Sequence, residues 1–158
     1  MNDNGGYSLR SSKTKISSSS FISTIKGPED EKGRVFVFEG FFDYLSYLAI
    51  RKEVSLPESV CVLNGVGNVS HALKVLENYR EVNLFLDNDD AGRKCRDIIR
   101  DQLTGEGSPI NVCDLSAVYD KHKDLNSMLC SNPTSNNTAY GNTTTEGGPA
   151  EAGQDQLG

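Results

Sequence analysis

The chain has 158 residues, a formal net charge of −6 from 16 basic and 22 acidic side chains, and 36% hydrophobic residues. That length suits one ordinary domain with short tails, the acidic balance argues against nucleic-acid binding through a broad basic face, and the low apolar fraction indicates that part of the chain does not pack. No run approaches the roughly 18 apolar residues of a transmembrane helix, and MNDNGGYSLRSSKTK lacks the apolar core of a secretory signal, so no membrane partner and a cytoplasmic location are expected.

Charge and composition divide the chain into three. Residues 1–33 carry five basic and four acidic groups and a Ser-rich patch at 17–20. Tyr7–Leu9 and Phe21–Ile25 read there as two short strands that feed an edge of the main domain. Residues 34–130 hold nearly all the ordered hydrophobic periodicity. Residues 131–158 contain no Lys or Arg and almost no large apolar side chain, so they are expected to form a disordered tail, unable to offset chain entropy by burial.

Within 34–130 the period alternates between two and 3.6. Arg34–Phe38 (RVFVF) is a β-rich run, followed by a helical spacing over Phe41–Lys52 with Phe41, Leu45, Leu48 and Ala49 on the expected inner face. Pro57 interrupts the chain, and Val60–Leu63 is the next strand. Asn68 or Ser70 can cap a helix to Tyr79 with a stripe of Val69, Ala72, Leu73 and Leu76. Val82–Leu86 is a strand, Ala91–Leu103 a helix with Ala91, Cys95, Ile98 and Ile99 inward, Ile110–Leu115 a strand and Leu125–Cys130 a short helix. Strands alternating with helices predict an α/β fold, a central parallel sheet of about four strands flanked by helices through right-handed crossovers.

The cysteines Cys61, Cys95, Cys113 and Cys130 form no CxxC pair, and His71 and His122 are the two imidazoles. No zinc site is expected from that spacing. Cys61 and Cys113 lie in apolar runs and are expected to be buried, reduced thiols.

Carboxylates collect where strands end. Glu39 follows RVFVF directly, Asp87, Asn88, Asp89 and Asp90 follow NLFL, and Asp120 and Lys123-Asp124-Leu125-Asn126 follow the last strand. In a parallel sheet these positions meet at one edge, where α/β proteins bind ligands. One aspartate suffices to cap a helix. Asp87 and Asp89 are two residues apart, so in extended chain their side chains leave on one side with Cα atoms roughly 6.6 Å apart. Joined by Glu39, they form the hard-oxygen set that Mg²⁺ prefers, and such clustered charges repel unless a cation intervenes.

Phe38-Glu39-Gly40-Phe41-Phe42-Asp43, Leu86-Asp87-Asn88-Asp89-Asp90-Ala91-Gly92 and Lys123-Asp124-Leu125-Asn126, in this order over about residues 34–130, resemble the Toprim domain, in the version found in bacterial-type DNA primases and primase-like proteins of mobile elements. The Asn64-Gly65-Val66-Gly67-Asn68 loop is similar to the family's small-residue turn. The resemblance implies a compact Toprim-like, Rossmann-like fold and Mg²⁺ or Mn²⁺ chemistry on phosphates. It makes Glu39, Asp87 and Asp89 the catalytic and principal metal residues, with Asp43 and Asp124 as further metal ligands. Asn126 departs from the pattern, being an amide where the family has an acid. The implied activity is metal-dependent nucleotidyl or phosphoryl transfer on nucleic acid, as part of a larger primase, replication or mobilisation machinery. Nucleic acid, nucleoside triphosphates and other primase domains or a helicase are the implied partners. The alternatives are a non-catalytic metal-dependent nucleotide- or nucleic-acid-binding module and a Toprim-class nuclease. A topoisomerase role lacks a tyrosine in an added domain, since Tyr44, Tyr47 and Tyr79 sit at packing positions. Arg93 and Lys94, which begin a helix directly after the aspartates, and Lys123, beside the last motif, are candidate phosphate contacts.

Overall fold

A computed structural model of the protein describes residues 1–10, 13–28 and 33–131. The tail expected at 131–158 lies, beyond Ser131, outside these residues. The elements in chain order are β1 (Ser8–Arg10), β2 (Lys15–Ser17), β3 (Ser23–Ile25), β4 (Arg34–Phe38), α1 (Phe41–Arg51), β5 (Ser59–Val62), α2 (Val69–Leu76), β6 (Glu81–Phe85), α3 (Asp90–Leu103), β7 (Asn111–Asp114) and α4 (Leu125–Ser131). The main sheet has five strands in the order β3-β5-β4-β6-β7. β5, β4, β6 and β7 run parallel, as the alternating pattern predicts, and β3 closes the β5 edge antiparallel.

Strand alternation divides the core into two layers. On β4, Val35 and Val37 face α2 and α3 and pack with Cys61, Leu63, Leu76, Leu84, Cys95 and Ile99. Phe36 and Phe38 face the opposite side and pack with Tyr44, Leu48, Val62, Phe85, Tyr119 and Leu125. Phe38 stacks on Phe85 with ring centroids 5.1 Å apart, across the register that pairs them. The result is a doubly wound α/β sheet: α1 carries the chain from β4 outward to β5 on one face, and α3 carries it from β6 to β7 on the other.

Several sequence expectations need correction. The inner face of α1 is rotated by about one residue, ~100°, from the apolar stripe. Tyr44, Leu48, Ser46 and Asp43 are buried, whereas Phe41, Leu45 and Ala49 are exposed. The reason is polar: Ser46 Oγ donates to Asn126 Oδ1 of α4 at 3.3 Å, and Asp43 accepts from the Asn126 amide, so hydrogen bonds to α4 turn the helix. On α3, Cys95 and Ile99 point inward as expected, but Ala91 and Ile98 are exposed, and Gly92, Arg96 and Leu103 complete the buried face. Arg96 takes the inward position by pairing with Asp114 of β7 at 3.0 Å. β1, at the expected first segment, does not feed the main sheet; it pairs antiparallel with β2, a strand inside the polar Lys/Ser stretch. β3, within the expected second segment, is the strand that joins the sheet. Cys61 is buried as expected, Cys113 is only partly so, Cys95 is buried and Cys130 is exposed. Among the described residues no helix is long and apolar enough to cross a membrane.

Candidate functional site

The parallel register Phe38↔Phe85 brings the ends of β4 and β6 level. These two central strands lead in opposite directions, so the crevice beyond their carboxyl ends is the topological switch point of the sheet, the place where open α/β folds bind ligands. Glu39 and Asp87 stand on its two sides. The Glu39 amide donates to the Phe85 carbonyl at 3.3 Å, and Glu39 Oε2 accepts from the Asp87 amide at 3.2 Å. The Gly65 amide, from the small-residue loop after β5, donates to the Glu39 carbonyl at 3.2 Å. Gly65 has φ +123°, a backbone conformation that side chains disfavour.

Asp87 and Asp89 do share one side. Lys123 Nζ lies 3.1 Å from Asp87 Oδ2 and 3.3 Å from Asp89 Oδ2. Asp89 is also the N-cap of α3: its Oδ1 accepts from the amides of Ala91 at 3.1 Å and Gly92 at 3.0 Å. Gly92 is glycine for a steric reason, because a Cβ there would sit 2.2 Å from the Asp87 carbonyl oxygen. The helix therefore begins against the backbone of the residue whose carboxylate faces the crevice.

Asn88, between the two aspartates, turns away from the crevice and ties down the loop that carries Lys123. Its side-chain amide donates to the carbonyls of Ser116, Tyr119 and His122, and its main-chain amide donates to the Lys123 carbonyl at 2.7 Å. Tyr119, fully inside the same loop, donates its hydroxyl to the Leu86 carbonyl at 2.9 Å. Sequence reasoning missed both. An Asn flanked by aspartates at a strand end is a usable signal for such a clamp, since it donates where its neighbours only accept.

Asp43 and Asp124 form a second acidic group beside the first. Asp43 Oδ1 accepts from the Asn126 amide at 3.2 Å, and Asp124 Oδ1 caps the start of α4 through Ser127. Asp87 links the groups: its charge acts on both Glu39 and Asp43. Arg93 does not join the carboxylates of the crevice; its guanidinium donates to the Asn88 carbonyl and pairs with Asp90. Lys94 is exposed at the start of α3.

The electrostatics follow from burial and like charge. Glu39 is pushed up to about 7 by burial first and then by the Asp87 charge, against the stabilising Asp87 amide. Asp43 is pushed up to about 6, again chiefly by burial. Burial raises Asp87 while Lys123 opposes the rise. Asp89 is held below the usual carboxylate range by the Gly92 amide and Lys123. Lys123 in turn is held above the usual ammonium range by the two aspartates.

Among the described residues no group of three or more His, Cys, Asp or Glu side chains converges as a metal cage. The donor set nevertheless suits Mg²⁺ or Mn²⁺, which use one or two carboxylates and several waters rather than an all-protein cage. Asp87 Oδ2 and Asp89 Oδ2 already face a single positive charge from one side, and Glu39 borders them across the switch point.

Fold and site together define a doubly wound α/β domain with a carboxylate-lined switch point. The family model described as Toprim-like matches residues 36–129, more than half of the chain, and the chain belongs to that family. Among solved structures it is similar to the primase fragment of the bacteriophage T7 primase–helicase protein, with 20% identity and a TM-score of 0.45 over 62% of this chain and 38% of that one. The chain thus spans well under half of that fragment's length. No curated protein matches it.

Proposed function

We propose that this Toprim-like domain carries out metal-dependent nucleotidyl transfer of the primase type, as part of a larger replication or mobilisation machinery. The observation that supports it is the pairing of Asp87 and Asp89, from the end of β6, on one ammonium at the switch point, with the carboxylate of Glu39, from the end of β4, against the Asp87 amide. Asp87 and Asp89 would hold Mg²⁺ or Mn²⁺, with Glu39 as neighbour and Asp43 and Asp124 flanking a second position. A divalent cation there supplies charge neutralisation for phosphate oxygens during in-line transfer. Glu39, with its carboxyl pushed up to about 7, can hold or release a proton close to neutral pH, as a general acid or base requires. Lys94, exposed in the first turns of α3, and Lys123, once it leaves Asp87 and Asp89, can meet phosphates of a nucleic acid or nucleoside triphosphate. Arg93 can do so only by leaving Asp90.

A second reading is favoured by Asn126. Its side-chain oxygen accepts from Ser46 and its backbone amide donates to Asp43 Oδ1, both in packing α4 to α1, so this residue adds no charge to a second cation position. A domain with one cation position can bind nucleotide or a nucleic-acid end without turnover. Primer synthesis by the purified chain on single-stranded DNA, with nucleoside triphosphates and Mg²⁺ or Mn²⁺, separates the two. Product that disappears in Asp87→Ala and Asp89→Ala supports the enzyme. Metal-dependent binding without product supports the module, strand cleavage points to a nuclease, and full activity of both variants refutes the metal assignment.

A further inference from the structure

Given that Asp87 and Asp89 hold a divalent cation, as proposed above, we propose that Lys123 is a tethered counter-ion, a positioning residue that keeps the empty carboxylate pair in register and is displaced when the metal arrives. The oxygens are the first argument. Asp89 Oδ1 is committed to the first turn of α3, so Asp89 can ligate through Oδ2, and that oxygen lies 3.3 Å from the Lys123 ammonium. Asp87 Oδ2 lies 3.1 Å from the same nitrogen. A metal that uses these two oxygens and the ammonium cannot share the place between them.

The second argument is the contrast between the base of Lys123 and its head. The Lys123 carbonyl accepts from the Asn88 amide at 2.7 Å, and the carbonyls of Ser116, Tyr119 and His122 accept from the Asn88 side chain. The backbone is thereby fixed to the loop between the two aspartates. The side chain is 58% exposed, and its four-carbon stem can swing the ammonium into solvent without disturbing the loop. A fixed base with a solvent-accessible head, held by ion pairs alone, is what a displaceable ion needs.

The test is Mn²⁺ binding by the full chain, read from the electron paramagnetic resonance signal of free Mn²⁺, in wild type, Lys123→Met, Lys123→Arg and Asp87→Asn. Removing a competitor whose ammonium is exposed and held by two ion pairs, one to the buried Asp87 and one to the more open Asp89, tightens Mn²⁺ binding about tenfold in Lys123→Met. Lys123→Arg keeps the competing charge and binds Mn²⁺ no more tightly than wild type. Asp87→Asn weakens Mn²⁺ binding at least about tenfold, as loss of a ligand requires. If Lys123→Met binds Mn²⁺ as wild type does, or less tightly, while Asp87→Asn still weakens it, the counter-ion role is overturned and the metal assignment stands. If Asp87→Asn leaves Mn²⁺ binding unchanged, the metal assignment falls and the counter-ion role falls with it.

Discussion

Replacing Glu39 by Gln isolates the electrostatic stress at the switch point. Gln keeps an oxygen that can accept from the Asp87 amide and removes the charge, so it imitates the protonated acid. In the folded chain Glu39 is pushed from 4.5 up to about 7, and the fold therefore retains a proton that the unfolded chain has already lost. That retained proton stabilises fully below about pH 4.5, and its contribution is lost as pH rises through about 7. The interval corresponds to a ceiling of ~3 kcal/mol. Contact with solvent reduces this to about 1–2 kcal/mol. Urea unfolding of wild type and Glu39→Gln, in chelator from pH 4.5 to 8, reads the difference directly. The two are expected to coincide at pH 4.5, and Glu39→Gln should be the more stable by about 1–2 kcal/mol at pH 8. Background titrations, Asp43 included, are common to both and cancel. Stability curves that run parallel over the whole range would show that Glu39 ionises as an ordinary surface acid and would refute the electrostatic account of the site.

Asp43, pushed up to about 6 mainly by burial, follows the same sign: Asp43→Asn should gain ~1–2 kcal/mol at pH 8 and nothing at pH 4 in the same assay, provided the amide oxygen still accepts from Asn126. Gly92→Ala should lose about 2 kcal/mol or more in urea unfolding, because its Cβ would meet the Asp87 carbonyl at 2.2 Å with backbone on both sides of the contact. A loss under about 0.5 kcal/mol would contradict that contact. Asn88→Ala should speed hydrogen exchange across Ser116–Lys123 and cost about 1–3 kcal/mol, since the carbonyls of Ser116, Tyr119 and His122 lose their shared donor. Unchanged exchange there would remove the clamp from the description.

What the sequence revealed and what it hid divide along physical lines. RVFVF and VNLFL are short, continuous apolar runs, and buried parallel strands produce that pattern; both fall within a residue of β4 and β6. Glu39, Asp87 and Asp89 could be placed at strand ends from position alone. The order of the strands could not, and with it the switch point that makes the ends of β4 and β6 neighbours. The inner face of α1 does not follow its apolar spacing, because Asp43 and Ser46 turn inward to reach Asn126. β2 has a single β-branched residue, Ile16, within a Lys/Ser stretch, too short a signal to announce a strand. Lys123 is visible as a cation beside an acidic motif, but its reach to Asp87 and Asp89 depends on the Asn88 clamp: the local pattern signals a donor at Asn88, not the distant carbonyls of Ser116, Tyr119 and His122 that it holds.

The capping of α3 by the same carboxylate that faces the crevice has a practical consequence. The amide protons of Ala91 and Gly92 point at Asp89, and that of Asp87 points at Glu39. Whatever settles on these acids draws electron density from the bonds those protons make, and their nuclear magnetic resonance frequencies move accordingly. The domain thus carries its own spectroscopic witnesses, which report arrival at the crevice without a label, a turnover or a change of fold.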